Sequence, residues 1–177
     1  YNEDKKLVTQ MLQEIFSTSD MLVQALEDQS VYWNDDIEFV LSMIIKTLEK
    51  FSVKSANKAR LMPLFKNEED QEYAKKLFRK TIINQNDYKE MIKWHTKNWE
   101  LDRIAFLDTL IMQMAICEIM EFPSIPLKVS LNEYIEIAKF YSTRKSSTFI
   151  NGVLDQVIKT LQKEGKIHKA GRGLKNG

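Results

Sequence analysis

Hydrophobic residues recur along most of this chain at intervals of three and four, the spacing that places side chains on one face of an α-helix. The most hydrophobic stretch runs from Ile104 to Met120. Only four polar residues interrupt it: Asp108, Thr109, Gln113 and Glu118. Because so few polar positions leave a helix almost no solvated face, we predict a buried central helix over residues 102–121.

The polar residues of the predicted central helix define two further expectations. Thr109 and Gln113 share one helix face and should form a thin solvated stripe beside Asp108. Glu118 falls nearly opposite, near the C-terminus, where the helix dipole disfavours an anion. We therefore expect the backbone amides of the following loop, or Lys128, to offset its charge.

The other periodic segments predict a soluble all-α fold of about seven helices. Their expected spans or starting residues, in chain order, are 7–28, Asn34, 68–70, Asn86 or Asp87, Ser130 and the segment 149–161. Asp102 is the expected N-cap of the central helix, and Ser130 to Glu133 reads as a capping box.

The last predicted helix should bury Phe149 and carries a glycine, Gly152, in its interior. A glycine there costs about 1 kcal/mol relative to alanine, so we expect it to permit a close approach. A neighbouring helix backbone is the favoured occupant of that space, and RNA is the alternative.

Charge and composition narrow the classes of function. The chain has 26 Lys and Arg against 25 Asp and Glu, so any basic site must be local. Its single cysteine, Cys117, suits a reducing compartment, and we predict a cytoplasmic protein without a signal peptide or membrane span. His95 and His168 do not show the spacing of a metal site, and the glycines do not show that of a phosphate-binding loop. We therefore predict no enzyme, metal or cofactor.

The loop at residues 142–148 is the most suggestive polar segment, because Arg144 and Lys145 stand there among hydroxyl residues. It precedes a predicted helix, whose free amides and dipole attract phosphate. The residues alone favour an ordinary capping loop with Ser146 or Ser147 as the cap, since charged loops are usually only solvated surface.

Several separated sequence blocks follow one another in the C-terminal half. They are WELDRIA at 99–105, Asp108, AICE at 115–118, IPLKVSLNE at 125–133, Ala138 with Lys139, and FINGVLD at 149–155. Their order and spacing resemble the NusB family of bacterial transcription antitermination factors. The resemblance is good over residues 70–160 and weak over residues 1–66.

The resemblance implies an all-helical NusB-like bundle of two packed subdomains. Residues 1–66 would form the N-terminal subdomain, 67–164 the C-terminal one, and 165–177 a flexible basic tail. The family usually opens with an arginine-rich segment that contacts RNA. Residues 1–66 contain none, so we expect it either upstream of Tyr1 or lost from this relative.

The same resemblance implies partners and site residues. Family members bind the boxA element of nascent RNA together with ribosomal protein NusE, which helps the RNA polymerase elongation complex pass terminators in ribosomal RNA operons. The implied RNA-binding residues are Thr143, Arg144, Lys145, Ser146 and Thr148, extended by Lys128 and Lys139. The implied NusE-facing residues are Asp102, Arg103 and Asp108.

Two other functions remain open. The chain could be the RNA-recruiting helical domain of a ribosomal RNA methyltransferase, which shares this fold. Such an enzyme needs a separate Rossmann-like domain after the helical region, where this sequence has a basic tail. The chain could also be a helical scaffold that binds only protein.

Overall fold

A computed structural model describes residues 1–52, 62–96 and 104–170, and the secondary structure in these ranges is entirely helical. The prediction of an all-α fold is confirmed. The helices are α1 (Asn2–Met11), α2 (Asp20–Glu27), α3 (Trp33–Lys50), α4 (Glu68–Ile83), α5 (Gln85–His95), α6 (Phe106–Glu121), α7 (Leu127–Tyr141) and α8 (Arg144–Lys163).

The chain divides into two compact units, Tyr1–Lys66 and Asn67–Gly177. In the first unit α1 and α2 both pack on α3. Lys5 of α1 donates hydrogen bonds from Nζ to the carbonyl oxygens of Glu49, at 2.6 Å, and Phe51, at 3.0 Å. Among the described residues of this unit only Thr47 is buried, so its helices share a thin core.

The helix predicted over residues 7–28 is divided. A π-helical turn, Leu12–Phe16, follows α1, and α2 starts anew after Ser19, whose Oγ accepts a hydrogen bond from the Leu22 amide at 3.3 Å. The hydroxyl of Thr18 donates to the Glu14 carbonyl at 2.7 Å. Consecutive hydroxyl residues offer the backbone such alternative bonds, which explains the break in an otherwise periodic segment.

The second unit is built around α6, which contacts α4, α5, α7 and α8. The prediction of a buried central helix is confirmed. Its buried residues are Asp108, Ile111, Met112, Gln113, Ala115, Ile116, Cys117, Glu118 and Ile119. Thr109 is partly exposed, but Gln113 and Asp108 are buried by the surrounding helices, so the expected solvated stripe of Thr109 and Gln113 beside Asp108 was wrong.

Two predicted helix starts, those of α6 and α7, differ from the structure. The N-cap of α6 is Ala105, without a side-chain hydrogen bond, so Asp102 is not its cap; Asp102 itself lies outside the described residues. Helix α7 begins at Leu127 because the Pro126 carbonyl already accepts the Ser130 amide at 3.1 Å. Ser130 is therefore a buried interior residue, and the predicted capping box was wrong.

Helix α8 ends in a Schellman motif rather than running into a loose tail. Gly165, at φ 65°, donates to the Gln162 carbonyl at 3.1 Å, and Lys166 donates to the Leu161 carbonyl at 2.9 Å. The following residues turn back to α6 and its turn, where the Ala170 amide bonds to the Pro123 carbonyl at 2.8 Å. Residues 165–170, predicted as part of a flexible tail, are thus held by defined contacts.

Gly152 lies on the exposed side of α8, and a Cβ atom built there meets nothing within 4 Å. The predicted close approach of a helix backbone was therefore wrong. Phe149 packs against the core but is only partly buried, so the expectation of a buried anchor is met in part.

Replacing Gly152 by alanine is expected to raise the free energy of unfolding by about 0.5–1 kcal/mol, because glycine inside a helix costs about that much relative to alanine. Urea denaturation monitored by circular dichroism measures the change. Gly165→Ala is the opposite control, since φ of 65° disfavours a residue with a Cβ atom and this variant should lose stability. A destabilised Gly152→Ala protein would contradict the exposed position.

Candidate functional site

One end of the second unit gathers most of the residues predicted to bind RNA. The short turn after α6 makes α7 antiparallel to it, so the start of α6 lies beside the end of α7, and α8 begins directly afterwards. We call this region the loop end and define it as residues 106–108 and 139–148. Among its described residues Asp108 is the single carboxylate, against Lys139, Arg144 and Lys145.

The structure gives two of the predicted RNA-binding residues a capping role. Thr143 is the N-cap of α8, and its Oγ1 accepts the Ser146 amide hydrogen bond at 3.2 Å. The hydroxyl oxygens of Thr143 and Ser146 also lie 2.9 Å apart. The cap is thus Thr143 rather than Ser146 or Ser147, as expected for a threonine in extended conformation before a helix.

The remaining predicted residues differ in their distance from this cap. Arg144 is the first residue of α8, and Lys145 and Thr148 are exposed in its first turns. Lys139 is exposed in the last turn of α7 and pairs with Glu136 at 2.6 Å. Lys128 lies at the other end of α7, about 20 Å away at the helical rise per residue. The loop end therefore includes Lys139 but not Lys128.

Asp108 is buried, with an exposed fraction of 4%, and its carboxylate accepts a hydrogen bond from the Ser142 hydroxyl. A buried carboxylate needs such a partner, because its free energy without a hydrogen bond is far higher in the protein interior than in water. The bond joins the first turn of α6 to the residue that precedes the α8 cap. Asp102 and Arg103, the other predicted partner-facing residues, lie outside the described residues.

A second buried carboxylate, Glu118, lies near the opposite end of α6 and is only 4% exposed. It accepts hydrogen bonds from the hydroxyls of Tyr73, on α4, and Tyr134, on α7, the latter at 3.2 Å. Burial, assisted by Glu118, raises the pKa of both tyrosines above the usual range. The expectation that loop amides or Lys128 offset Glu118 was therefore wrong.

The C-terminal carbonyls of α6 are satisfied by lysines from other elements. Lys169 donates from Nζ to the carbonyl oxygens of Phe122, at 3.0 Å, and Glu118, at 3.4 Å. Burial lowers the pKa of Lys169, and Glu118 opposes that effect. Lys76 donates to the Glu121 carbonyl at 2.6 Å. Cations at a helix C-terminus complement its dipole, so this cluster stabilises the central helix.

The part of the chain that the structure describes shows neither a metal site nor a membrane span. No group of three or more His, Cys, Asp or Glu side chains in these ranges is arranged to hold a metal ion. Within the same ranges, no helix is both long and apolar enough to cross a membrane. Cys117 is a buried core residue whose thiol pKa is raised by burial.

Comparison with known proteins decides the family. The model of the NusB family matches residues 36–159. The chain belongs to the NusB family. The match includes most of α3, so it reaches further towards the N-terminus than residues 70–160, the range of the resemblance seen in the sequence blocks.

Curated relatives from the NusB family share a large part of the chain. The transcription antitermination protein NusB of Salinibacter ruber is 42% identical over 113 residues, which are 64% of this chain and 71% of that protein. The protein of the same name from Chloroherpeton thalassium is 46% identical over 99 residues, covering 56% of this chain and 47% of that one. The chain thus spans about half to about 70% of these relatives.

Among solved structures, T. maritima NusB has 27% sequence identity and a TM-score of 0.46. The aligned region covers 77% of this chain and 84% of that one.

Proposed function

We propose that this member of the NusB family is a transcription antitermination factor that binds boxA-type RNA together with ribosomal protein NusE. Family membership and the names of its curated relatives support the antitermination role. The loop end is the structural observation that supports RNA binding most directly. Lys145 is exposed and Arg144 is the first residue of α8, whereas Lys139 pairs with Glu136 and the one described carboxylate of the loop end is buried.

Lys145 would contact RNA phosphates at the start of α8, with Arg144 supplying a second charge and Thr148 a hydroxyl. The dipole of the 20-residue α8 adds to this attraction, because its N-terminus carries partial positive charge. Thr143 and Ser146 would hold the backbone of the cap in place, and Lys139 would extend the basic surface along α7. Lys128 is too distant to belong to the same contact.

NusE would bind the neighbouring surface formed by the start of α6, including Asp102 and Arg103. The carboxylate of Asp108 is almost fully covered, so it would act by holding Ser142 and the α8 cap rather than by direct contact. The resulting complex would join the RNA polymerase elongation complex in the cytoplasm. In this proposal the chain binds and positions its partners, and it performs no catalytic step.

Titration of fluorescent boxA-type RNA with the protein, in the presence and absence of NusE, tests the function. The proposal predicts RNA binding that NusE strengthens. Binding of RNA without any response to NusE would favour the RNA-recruiting domain of a ribosomal RNA methyltransferase. A chain that binds NusE but does not bind RNA would favour a helical scaffold that binds only protein.

Changing Arg144 and Lys145 together to glutamate is expected to weaken RNA binding at least tenfold. Each lost phosphate contact should also flatten the slope of log affinity against log salt by about one unit. Anisotropy titrations at several salt concentrations measure both quantities. Stability should change by about 0.5 kcal/mol or less, the usual size of effect for charged residues away from buried features; Lys145 is exposed.

The matched control is the double variant Lys128→Glu with Lys163→Glu, which makes the same change in net charge at exposed positions outside the loop end. It should affect RNA binding far less. Equal losses for the two double variants would show that overall charge, rather than the loop end, determines the affinity.

A further inference from the structure

A second group of cations lies on α4, within the second unit and outside the loop end. The group consists of Lys75, Lys76, Arg79 and Lys80, and we call it the α4 basic cluster. Residues four apart share a helix face, so positions 75 and 79 form one row and positions 76 and 80 form the adjacent row. The acidic first turn of α4 precedes the cluster by more than one helical turn. Positive charge therefore prevails on this part of the helix.

One row of the cluster is held against the C-terminus of α6. Lys80 pairs with the Glu121 carboxylate at 3.1 Å. Lys76 donates to the Glu121 carbonyl and lies 4.5 Å from the centroid of the Phe122 ring. Glu121 is the last residue of α6, whereas Phe106, in the loop end, is the first. The length of α6, about 24 Å for 16 residues at the helical rise per residue, therefore separates the two basic surfaces.

The other row is available to a ligand. Arg79 is exposed, and it makes no hydrogen bond or ion pair within the part of the chain that the structure describes. Lys75 pairs with Glu72 at 2.8 Å, and both side chains are largely exposed. An exposed pair of this kind is weak in water, so a phosphate group can compete with Glu72 for Lys75.

The chemistry of the surface favours phosphate over a protein segment. A surface cavity of about 220 Å³ is lined by Glu72, Lys75, Lys76, Arg79 and Lys80, without an apolar side chain. The buried core of a protein interface is apolar and depleted of lysine. Nucleic-acid backbones, in contrast, are bound mainly by Lys and Arg at their phosphates. The lining therefore fits a polyanion.

We propose that the α4 basic cluster is a second phosphate-binding surface, which binds RNA that extends beyond the segment held at the loop end. The inference rests on the proposed function and adds to it a contact with the flanking RNA. Arg79 and Lys75 bind phosphates directly, and Lys76 and Lys80 supply fixed positive charge beside them. Because phosphate contacts carry no sequence information, this surface accepts flanking RNA of any sequence.

The test compares wild type with the double variant Lys75→Gln with Arg79→Gln on two RNAs, with saturating NusE present. One RNA is a short boxA-type strand, and the other carries the same strand between unstructured uridine flanks that each span more than about 24 Å. Wild type should bind the long RNA more tightly and with a steeper slope of log affinity against log salt.

The double variant should bind the long RNA about three- to tenfold more weakly than wild type does. Its salt slope on that RNA should flatten by about 1.4 units, since each phosphate contact with a single strand contributes about 0.7. Its affinity for the short RNA should equal that of wild type. Equal losses on the short and the long RNA would overturn the assignment to flanking RNA.

The matched control is Lys89→Gln with Lys163→Gln, which makes the same change in net charge at exposed positions outside both basic surfaces. It should leave both affinities near the wild-type values. Glutamine has about the helix propensity of lysine and arginine, so thermal melts of all variants should agree with wild type. Equal losses of long-RNA affinity for the two double variants would show that overall charge determines binding and would overturn the inference.

The outcomes separate this inference from the proposed function. If the α4 double variant binds the long RNA as wild type does, the second surface is wrong and the proposed function stands. If that variant keeps its RNA affinity but loses binding of a polyglutamate peptide, the surface takes an acidic protein segment, and the inference is again wrong. If wild type binds neither RNA, both the inference and the proposed function are wrong.

Discussion

Replacing Leu154 by alanine should lower the free energy of unfolding by about 3–5 kcal/mol. Leu154 has no exposed surface, and α8 packs there against α5, α6 and α7. Removing a fully buried leucine side chain loses its transfer free energy and leaves a cavity that rigid neighbouring helices fill only in part.

Urea denaturation of Leu154→Ala measures this loss. Two variants serve as controls: Leu154→Met keeps the volume and should cost less than about 1.5 kcal/mol, and Gln156→Ala alters an exposed position of the same helix. Phe149→Ala should cost less than Leu154→Ala, because Phe149 is only half-buried. A Leu154→Ala protein as stable as Gln156→Ala would contradict the assigned core.

Replacing Glu118 by alanine is the second change with a large expected effect, a loss of about 2–4 kcal/mol. The carboxylate accepts hydrogen bonds from the Tyr73 and Tyr134 hydroxyls, and its removal leaves both donors without their partner. An orphaned buried donor costs about 1–3 kcal/mol. Tyr73 is partly exposed, so water compensates some of its loss.

The matched control for Glu118 is glutamine, which keeps one oxygen acceptor in nearly the same shape and should cost less than alanine. A double-mutant cycle with Tyr134→Phe then isolates the bond between residues 118 and 134. If Glu118→Ala and Tyr134→Phe destabilise additively, the two side chains are not coupled and the buried cluster is wrongly described.

The central helix could be predicted from sequence because almost no polar residue interrupts residues 104–120, and such a helix must be surrounded. The hydrogen-bond partners of its polar residues could not be predicted in this way. Glu118 bonds to Tyr73, 45 residues away, and periodicity within one helix contains no information about such a contact. The expectation that Asp108 faces solvent was wrong for the same reason. Its burial depends on the C-terminal end of α7, which lies far away in the sequence.

The charged part of the candidate site was also visible in the sequence, since Arg144 and Lys145 interrupt a run of hydroxyl residues. The exposure of Phe106 in the same region was not visible. Phe106 belongs to the most hydrophobic segment of the chain, where the pattern predicts that every apolar residue belongs to the core. Only the packing of α6 shows that its first residue is 79% exposed.

The most direct test of the proposed function is the coupling between its two partners, measured as a closed thermodynamic cycle. The affinity for boxA-type RNA is determined with and without saturating NusE, and the affinity for NusE with and without saturating RNA. Linkage requires both partners to strengthen each other by the same factor. The proposal predicts a factor clearly above one for wild type. Failure to bind RNA, whether NusE is present or absent, would contradict it.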